Sequence, residues 1–332
     1  MAGPADAPGT LFPSWIRAGA AASVAAPGSV SEVRFSPWPS TSQSWSDFRA
    51  AAVHAAETGW DGLWAADHFM PAASPDNRPM LECFTVLAGI AASVPRLRIG
   101  SLVAGNTYRH PAVLANMVAT LDQVSGGRVV LGLGAGWQEN EHAAYGIEYF
   151  DVPGRLARLE EACAVVRHLL DVPRSDVHGR FYSLTDAPAE PKPVQAHLPL
   201  LIGGGGEKVT LRIAARWADE WNTWGLPDVL ATKGTVLDRH CDAIGRDPRT
   251  IVHSAQVLVA VEGGAPPREM PHRRAYPTAS GNVGELQDML RAYEEANVGE
   301  FIMPDWNLGV GASRDDAMDR FMEEVAAPFR DH

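Results

Sequence analysis

Along this chain two spacings of apolar residues take turns. Short aliphatic and β-branched runs read as buried strands at "VRFS" (33–36), "GLWAA" (62–66), "RIGSLV" (98–103), "RVVLGLG" (128–134), "LPLLIG" (198–203), "DEWNTW" (219–224), "IVHSAQVLVAV" (251–261) and "EFIMP" (300–304). After each of them the spacing lengthens to that of a helix, over 46–58, 82–92, 112–123, 154–170, 207–217, 226–244, 282–297 and 313–326. In 154–170, Leu156, Leu159, Cys163, Val166 and Leu170 recur every three or four residues and mark one helical face. Strand then helix, eight times over, is the count of an α/β fold of the (β/α)8 TIM-barrel type. A doubly wound open sheet is the competing architecture, and it usually has fewer strands.

No shift in composition marks an interdomain linker, so 32–327 reads as one barrel domain. An Ala-, Gly- and Pro-rich leader over 1–31 is expected to be disordered, and 328–332 is a short tail. The stretch "DVPRSDVHGRFYSLTDAPAEPKPVQAHL" (171–198) is too polar and proline-rich to predict regular structure. It is expected to be an insertion segment over the C-terminal face of the barrel, where long loops tend to be functional.

Composition narrows the function classes. An apolar fraction of 46% in 332 residues supplies a large core, and a net charge of −12 argues against nucleic-acid binding, which needs clustered Lys and Arg. No window is apolar for long enough to predict a membrane span. The stretch "AGAAASVAAPGS" (18–29) lacks the large aliphatic residues of a signal-peptide core, so a cytoplasmic protein is expected. Cys83, Cys163 and Cys241 lie far apart within helical patterns, which suits a reducing compartment and neither a disulfide framework nor a CxxC metal site.

In a barrel of this kind, chemistry collects where strands end. Those ends are "AADHFMP" (65–71), "VAGNTYRHP" (103–111), "GAGWQENE" (134–141), "GGGGEK" (203–208), "NTWG" (222–225) and "MPDWN" (303–307). His68, His110 and His142 follow three different strands without an HExxH pattern, so no metal site is predicted, and no GxSxG marks a nucleophile elbow. What remains is exposed backbone and aromatic surface. Glycines with Trp137, Trp221 and Trp224 suit a flat polycyclic cofactor, although Trp221 also reads as ordinary core. The run Gly203, Gly204, Gly205, Gly206, followed by Glu207 and Lys208, presents successive N–H groups at a helix start, a ready phosphate cradle. A tight strand-to-helix turn without a ligand is the alternative.

Longer stretches carry a resemblance. "GLWAADHFMP", "GSLVAGNTYRHPAVLANMVATLDQVSGGRVVLGLGAGW", "EPKPVQ" and "LPLLIGGGGEKVTLRIAARWADEWN" resemble the bacterial luciferase-like monooxygenase superfamily. More narrowly they are similar to its coenzyme F420-dependent oxidoreductase branch, common in actinobacteria, over roughly residues 32–325. The resemblance implies a deazaflavin bound at the C-terminal face. It implies a third-strand bulge with a non-prolyl cis peptide, falling on Leu102–Val103 and followed by Ala104 to Asn106, that backs the ring. Asn106 is then expected at the ring's polar edge, a turn asparagine being the alternative.

Asp67 and His68 match a pair that lies beside the reacting carbon in sugar-phosphate dehydrogenases of this branch, with His68 as proton donor or acceptor or merely a buried hydrogen-bonding histidine. Gly136, Trp137 and Asn140 fall on the ring-side loop, Gly203–Gly206 with Glu207 on the phosphate, Thr210 on an added hydroxyl and Lys208 on the rim.

Two departures bear on substrate. Trp137 stands where those dehydrogenases carry a glutamate, and Ala72 where they carry a tryptophan, so a bulkier and less polar substrate than glucose 6-phosphate is expected. The implied reaction is hydride transfer between F420 and an activated C=C, C=N or C=O of a small molecule, in a homodimer. FMN with O₂, in a monooxygenase, is the alternative. A silent barrel that only binds flavin or a partner protein is a third reading.

Overall fold

The computed structural model describes residues 33–72, 78–263 and 276–330, so the 1–31 leader lies outside the described residues. Eight parallel strands form its central wall: β1 (Arg34–Trp38), β2 (Gly62–Ala65), β3 (Arg98–Ser101), β4 (Val129–Gly134), β5 (Leu200–Gly203), β6 (Glu220–Trp224), β7 (Val252–Gln256) and β8 (Val298–Pro304). From β2 round to β8 each strand pairs with the next in sequence, and β8 returns to β1 with Arg34 opposite Glu300. Asp61 closes the remaining seam, its N–H donating to the Phe35 carbonyl (2.9 Å) and its carboxylate accepting from the Phe35 N–H (2.8 Å). The TIM barrel expected from eight repeats is what forms.

Helices α1 (Trp45–Glu57), α2 (Cys83–Ser93), α3 (Pro111–Ser125), α4 (Glu139–Tyr145), α5 (Val152–Asp171), α6 (Thr210–Trp217), α7 (Pro227–Asp242), α8 (Val283–Glu295) and α9 (Ala312–Arg320) surround the wall. Local chemistry sets their ends. Asp151 accepts from the Gly154 N–H at the start of α5, and Asn282 with Glu285 forms a reciprocal capping box on α8. All six residues of β4, "VVLGLG", are buried, as a parallel strand covered on both faces must be. The last described residues are packed too: Phe329 is buried and Arg330 pairs with Asp61.

Several expectations need correction. The 171–198 insertion is not irregular: 174–178 and 183–188 form an antiparallel hairpin. Its turn is pinned by Glu161 of α5, whose carboxylate accepts the N–H groups of Arg180, Phe181 and Tyr182. That hairpin lies along α5, which is why residues on both faces of α5, Cys163 and Val165 among them, are buried and a single apolar stripe understates the helix. The 251–261 run is two strands, because after Val257 the chain leaves the wall and 258–261 pairs with 278–281. The third strand stops at Ser101, and 104–105 pairs separately with β4. The α6 helix begins at Thr210, three residues later than expected, and α4 was hidden in what reads as a glycine-rich loop.

The barrel interior holds its own apolar cluster of Trp38, Trp64, Leu102, Val130, Leu201 and Ile302. Beneath it, at the N-terminal ends of the strands, four charges plug the floor. Glu300 accepts from Ser36 Oγ (2.7 Å), Trp64 Nε1 (2.9 Å) and Arg98 Nη1 (3.0 Å), while Arg98 also bonds Glu220 and Arg34 lies 3.4 Å from Glu300. Burial pushes the Glu300 carboxyl up, but Arg98, Arg34, Ser36 and Trp64 together hold it below its ordinary value. Arg98→Met strands two buried carboxylates with one guanidinium, which is expected to cost about 3–5 kcal/mol. Arg212→Ala, which removes the partly exposed pair with Glu160, is expected to cost about 1 kcal/mol or less. Urea denaturation of both variants beside the parent measures the contrast.

Candidate active site

The C-terminal ends of the strands carry the unusual chemistry, and buried carboxylates organise it. Asp67, just past β2, is buried with both oxygens occupied. It accepts the Gly105 N–H (3.0 Å) and a bidentate pair from Arg109 (2.7 and 2.9 Å), and Arg109 is held in turn by Glu82 (2.6 Å). These bonds anchor the segment that follows β3. The Leu102–Val103 peptide there is cis, and the Val103 side chain lies against the ends of β4 and β5 and on the inner cluster. A Cβ at Gly134 or at Gly203 would lie 2.7 Å from a Val103 methyl, so glycine is required on both flanking strands for this approach.

His68 meets a second carboxylate. Its Nδ1 lies 2.8 Å from Glu141 Oε1, while Glu141 also accepts the Phe69 N–H (2.7 Å) and the Tyr108 hydroxyl. Burial pushes the Glu141 carboxyl up; the bonds from His68, Phe69 and Tyr108 outweigh it and hold the group below its ordinary value. An ionised Glu141 accepts only, so the shared proton sits on Nδ1 and Nε2 is the ring atom left for a substrate. Trp137 is 56% exposed and stands edge-on to the imidazole with ring centroids 5.3 Å apart.

The glycine run forms a third feature. Gly204 has φ +127°, and its N–H donates to Asn222 O (2.9 Å) while its carbonyl accepts from buried Trp221 Nε1 (2.9 Å). Among the described residues no backbone carbonyl takes the N–H groups of Gly205, Gly206, Glu207 or Lys208. A Cβ at Gly205 would meet Thr223 Oγ1 (3.0 Å) and Lys233 Cε (3.1 Å), and one at Gly206 would meet Thr210 Oγ1 (2.8 Å). Lys233 Nζ donates to Gly205 O (2.8 Å) and pairs with Glu207 (3.2 Å). Free N–H groups, two hydroxyls and an ammonium therefore lie close together at the start of α6.

Asn106 is buried. Its Nδ2 lies 3.3 Å from Tyr182 Oη at the hairpin turn, and its Oδ1 has no partner among the described residues. Ala104 pairs with Leu133 as part of the anchored segment. Gly136 has φ +79°, and its carbonyl accepts from Arg155 (3.1 Å). Asn140 turns its amide to Pro71 O (3.0 Å) and to the Glu141 N–H (2.9 Å), a bracing position. The three histidines are separate: His110 caps α3, and His142 bonds Gln138 O and Thr107. No group of metal-binding residues occurs among the described residues, and no described helix is long and apolar enough to cross a membrane.

Sequence reasoning missed Glu141 and Lys233. Glu141 lies in a helix that reads as loop, although the acidic pattern "QENE" before an apolar turn marks a helix start. Lys233 lies 29 residues past Gly204 on another helix; it is one of only three lysines, and that scarcity is the one available signal.

Known proteins bear on this arrangement. The family model for luciferase-like monooxygenases matches residues 27–276. An F420-dependent glucose-6-phosphate dehydrogenase of Kineococcus radiotolerans is 32% identical over 194 residues, 58% of this chain and 54% of that one. The chain thus spans about half the length of the curated relatives it matches. Among solved structures, an F420-dependent secondary alcohol dehydrogenase bound to an F420–acetone adduct superimposes with TM-score 0.77 at 20% identity, over 90% of this chain and all (100%) of the other. An EDTA monooxygenase from a Chelativorans species superimposes with TM-score 0.74 at 14% identity, over 90% and 93%. These likenesses establish the fold.

Behind the glycine run, Trp221 stands edge-on to His253 at 5.2 Å, and both nitrogens of that buried imidazole lack partners among the described residues. Burial lowers the His253 pKa from 6.5 to about 4. The unfolded chain therefore protonates first, and stability should fall by up to about 3 kcal/mol as pH drops from about 6.5 to about 4, levelling below that. Buried Asp305, raised to about 6, works in the opposite sense over part of this window. Comparison with His253→Leu isolates the histidine: in urea melts at pH 7, 5.5 and 4.5, the variant should lose less stability on acidification than the parent.

Proposed function

The chain belongs to the luciferase-like monooxygenase family, and on that premise we propose that it is an oxidoreductase that binds coenzyme F420 and exchanges a hydride with a small organic substrate. The observation that carries the reading is the contact of Val103 with Gly203. It joins a platform suited to a tricyclic ring to the first residue of a phosphate cradle, on the mouth that also holds His68. The residues fit such a cofactor. Asn106 offers a buried carbonyl oxygen without a partner, as the N–H edge of a deazaflavin would need. Thr210, Thr223 and Lys233 lie beside Gly205 and Gly206, supplying the hydroxyl and ammonium donors that a phosphate would need.

When bound, the deazaflavin supplies a two-electron hydride donor or acceptor that reacts poorly with oxygen. The protein's share is binding, orientation and the proton. Val103 and its neighbours back the ring, and the glycine-loop N–H groups with Lys233 fix the phosphate. Glu141 holds His68 in the tautomer that presents Nε2, so the imidazole can give a proton to a reduced substrate or take one from an alcohol. Asp67 contributes by anchoring the platform through Gly105 and Arg109. The direction proposed is reduction of an activated C=C, C=N or C=O, with the doubly protonated imidazole as the donor. FMN with O₂ is the second reading, supported by the monooxygenase character of the matching family.

Titration of the purified protein with F420 and with FMN, following each fluorescence, should show tight F420 and weak FMN binding. Lys233→Ala should weaken F420 binding about tenfold, the loss of roughly 1.4 kcal/mol of charge-assisted bonding. His68→Ala should keep F420 affinity and lose turnover with F420H₂ by about 10²-fold or more. Preferential FMN binding with oxygen consumption overturns the reading.

A further inference from the structure

At the C-terminal ends of other strands stands a set of aromatic rings that the proposed chemistry does not use. Trp38 ends β1, Trp224 ends β6, Trp306 follows β8, and Tyr276 precedes the 278–281 strand. Trp38 and Trp306 lie 4.7 Å apart between ring centroids, Trp224 and Tyr276 4.8 Å, Tyr276 and Trp306 5.6 Å, and Trp224 and Trp306 5.7 Å. No pair is parallel: interplanar angles run from 42° (Trp38 with Trp224) to 81° (Tyr276 with Trp306).

Ordinary core packing accounts for Trp38, which is buried in the inner cluster, but not for the other three. Trp224, Trp306 and Tyr276 are only half-buried, whereas Trp221, which braces the glycine run, is fully enclosed. The wall is also continuous with the platform. Trp224 and Trp306 pack on the same inner cluster as Val103 and Ala66, and Ala66 lies two residues before His68. Four segments from separate parts of the chain thus converge to keep large aromatic surfaces at the edge of the mouth.

We propose that Trp224, Trp306 and Tyr276, backed by buried Trp38, form the substrate subsite, and that the substrate is a flat, conjugated molecule carrying an aromatic ring beside its reducible double bond. The proposal rests on the cofactor reading above, which places the reacting ring on Val103. Tilted indole and phenol rings offer both faces and edges, so a planar aryl group meets them in offset-stacked and edge-on contacts beyond simple area burial. A puckered saturated ring of the same size makes only the apolar contact. The subsite is thus specific for flatness and π-electrons as well as for hydrophobicity.

The test uses two ketones with the same reacting group, 4-phenylbut-3-en-2-one and 4-cyclohexylbut-3-en-2-one. Each is titrated by calorimetry into the protein loaded with oxidised F420, so that binding is read without turnover. The parent should bind the phenyl compound at least about fivefold more tightly. Trp306→Leu and Tyr276→Leu should each lose most of that preference while keeping F420 affinity, which also shows that the variants are folded. Equal binding of the two ketones by the parent, or a preference that survives in both variants, overturns the subsite and leaves the cofactor reading standing. Failure of the parent to bind F420 overturns the cofactor reading and this proposal with it.

Discussion

A carboxylate taken out of water must find donors, and the functional end of this barrel is arranged around three that have done so. Asp67 takes Arg109 and the Gly105 N–H, and thereby anchors the segment carrying Val103. Glu141 takes His68, Tyr108 and the Phe69 N–H, and thereby orients the imidazole. Glu161 takes three successive N–H groups of the hairpin turn, which puts Tyr182 within reach of Asn106. Each carboxylate converts a demand for hydrogen bonds into the position of a loop. None of the three needs to touch a substrate to matter.

The two ends of the barrel solve opposite problems with related parts. At the floor, Arg34, Arg98, Glu220 and Glu300 neutralise one another, and Trp64 and Ser36 add hydrogen bonds to Glu300. Arg34 Nε and Glu220 Oε2 are left there without a hydrogen bond, their charges balanced by a 3.8 Å ion pair between the two side chains. At the mouth, Asn106 Oδ1 and the N–H groups of Gly205 and Gly206 have no protein partner among the described residues. Unlike the floor groups, they carry no compensating ion pair, and a ligand with both donors and acceptors would complete them.

How much of this could be read beforehand depended on whether a feature was local. Strand runs such as "VVLGLG" and the α5 face of Leu159, Cys163 and Val166 declare themselves within a few residues, and the eight repeats follow from them. The 174–188 hairpin did not, because its strands expose one face, carry Asp and Pro, and are fixed by Glu161 from a neighbouring helix. The break in the seventh strand was hidden because "VLVAV" (257–261) is apolar throughout, and nothing local says that the chain changes sheet at Val257. Site residues divide the same way. His68 and the glycines stand in recognisable strings, whereas Lys233 reaches Gly205 from another helix and is visible only once the chain is folded.

Trp137 and Glu141 show why a departure from a motif is hard to price from sequence. Read along the chain, Trp137 removes a carboxylate from the end of β4, and an acid seems lost. In the fold, Glu141 sits on the first turn of α4, its oxygen 2.8 Å from His68, while the Trp137 indole takes the edge of the same imidazole. The carboxylate remains beside the histidine, but buried and held below its ordinary pKa by three donors. Such a group is a poor proton donor and a good hydrogen-bond acceptor. The substitution therefore does not empty the site of acid–base chemistry. In the proposed chemistry it leaves proton transfer to the imidazole alone, with Glu141 setting the tautomer and Trp137 turning the adjoining surface apolar.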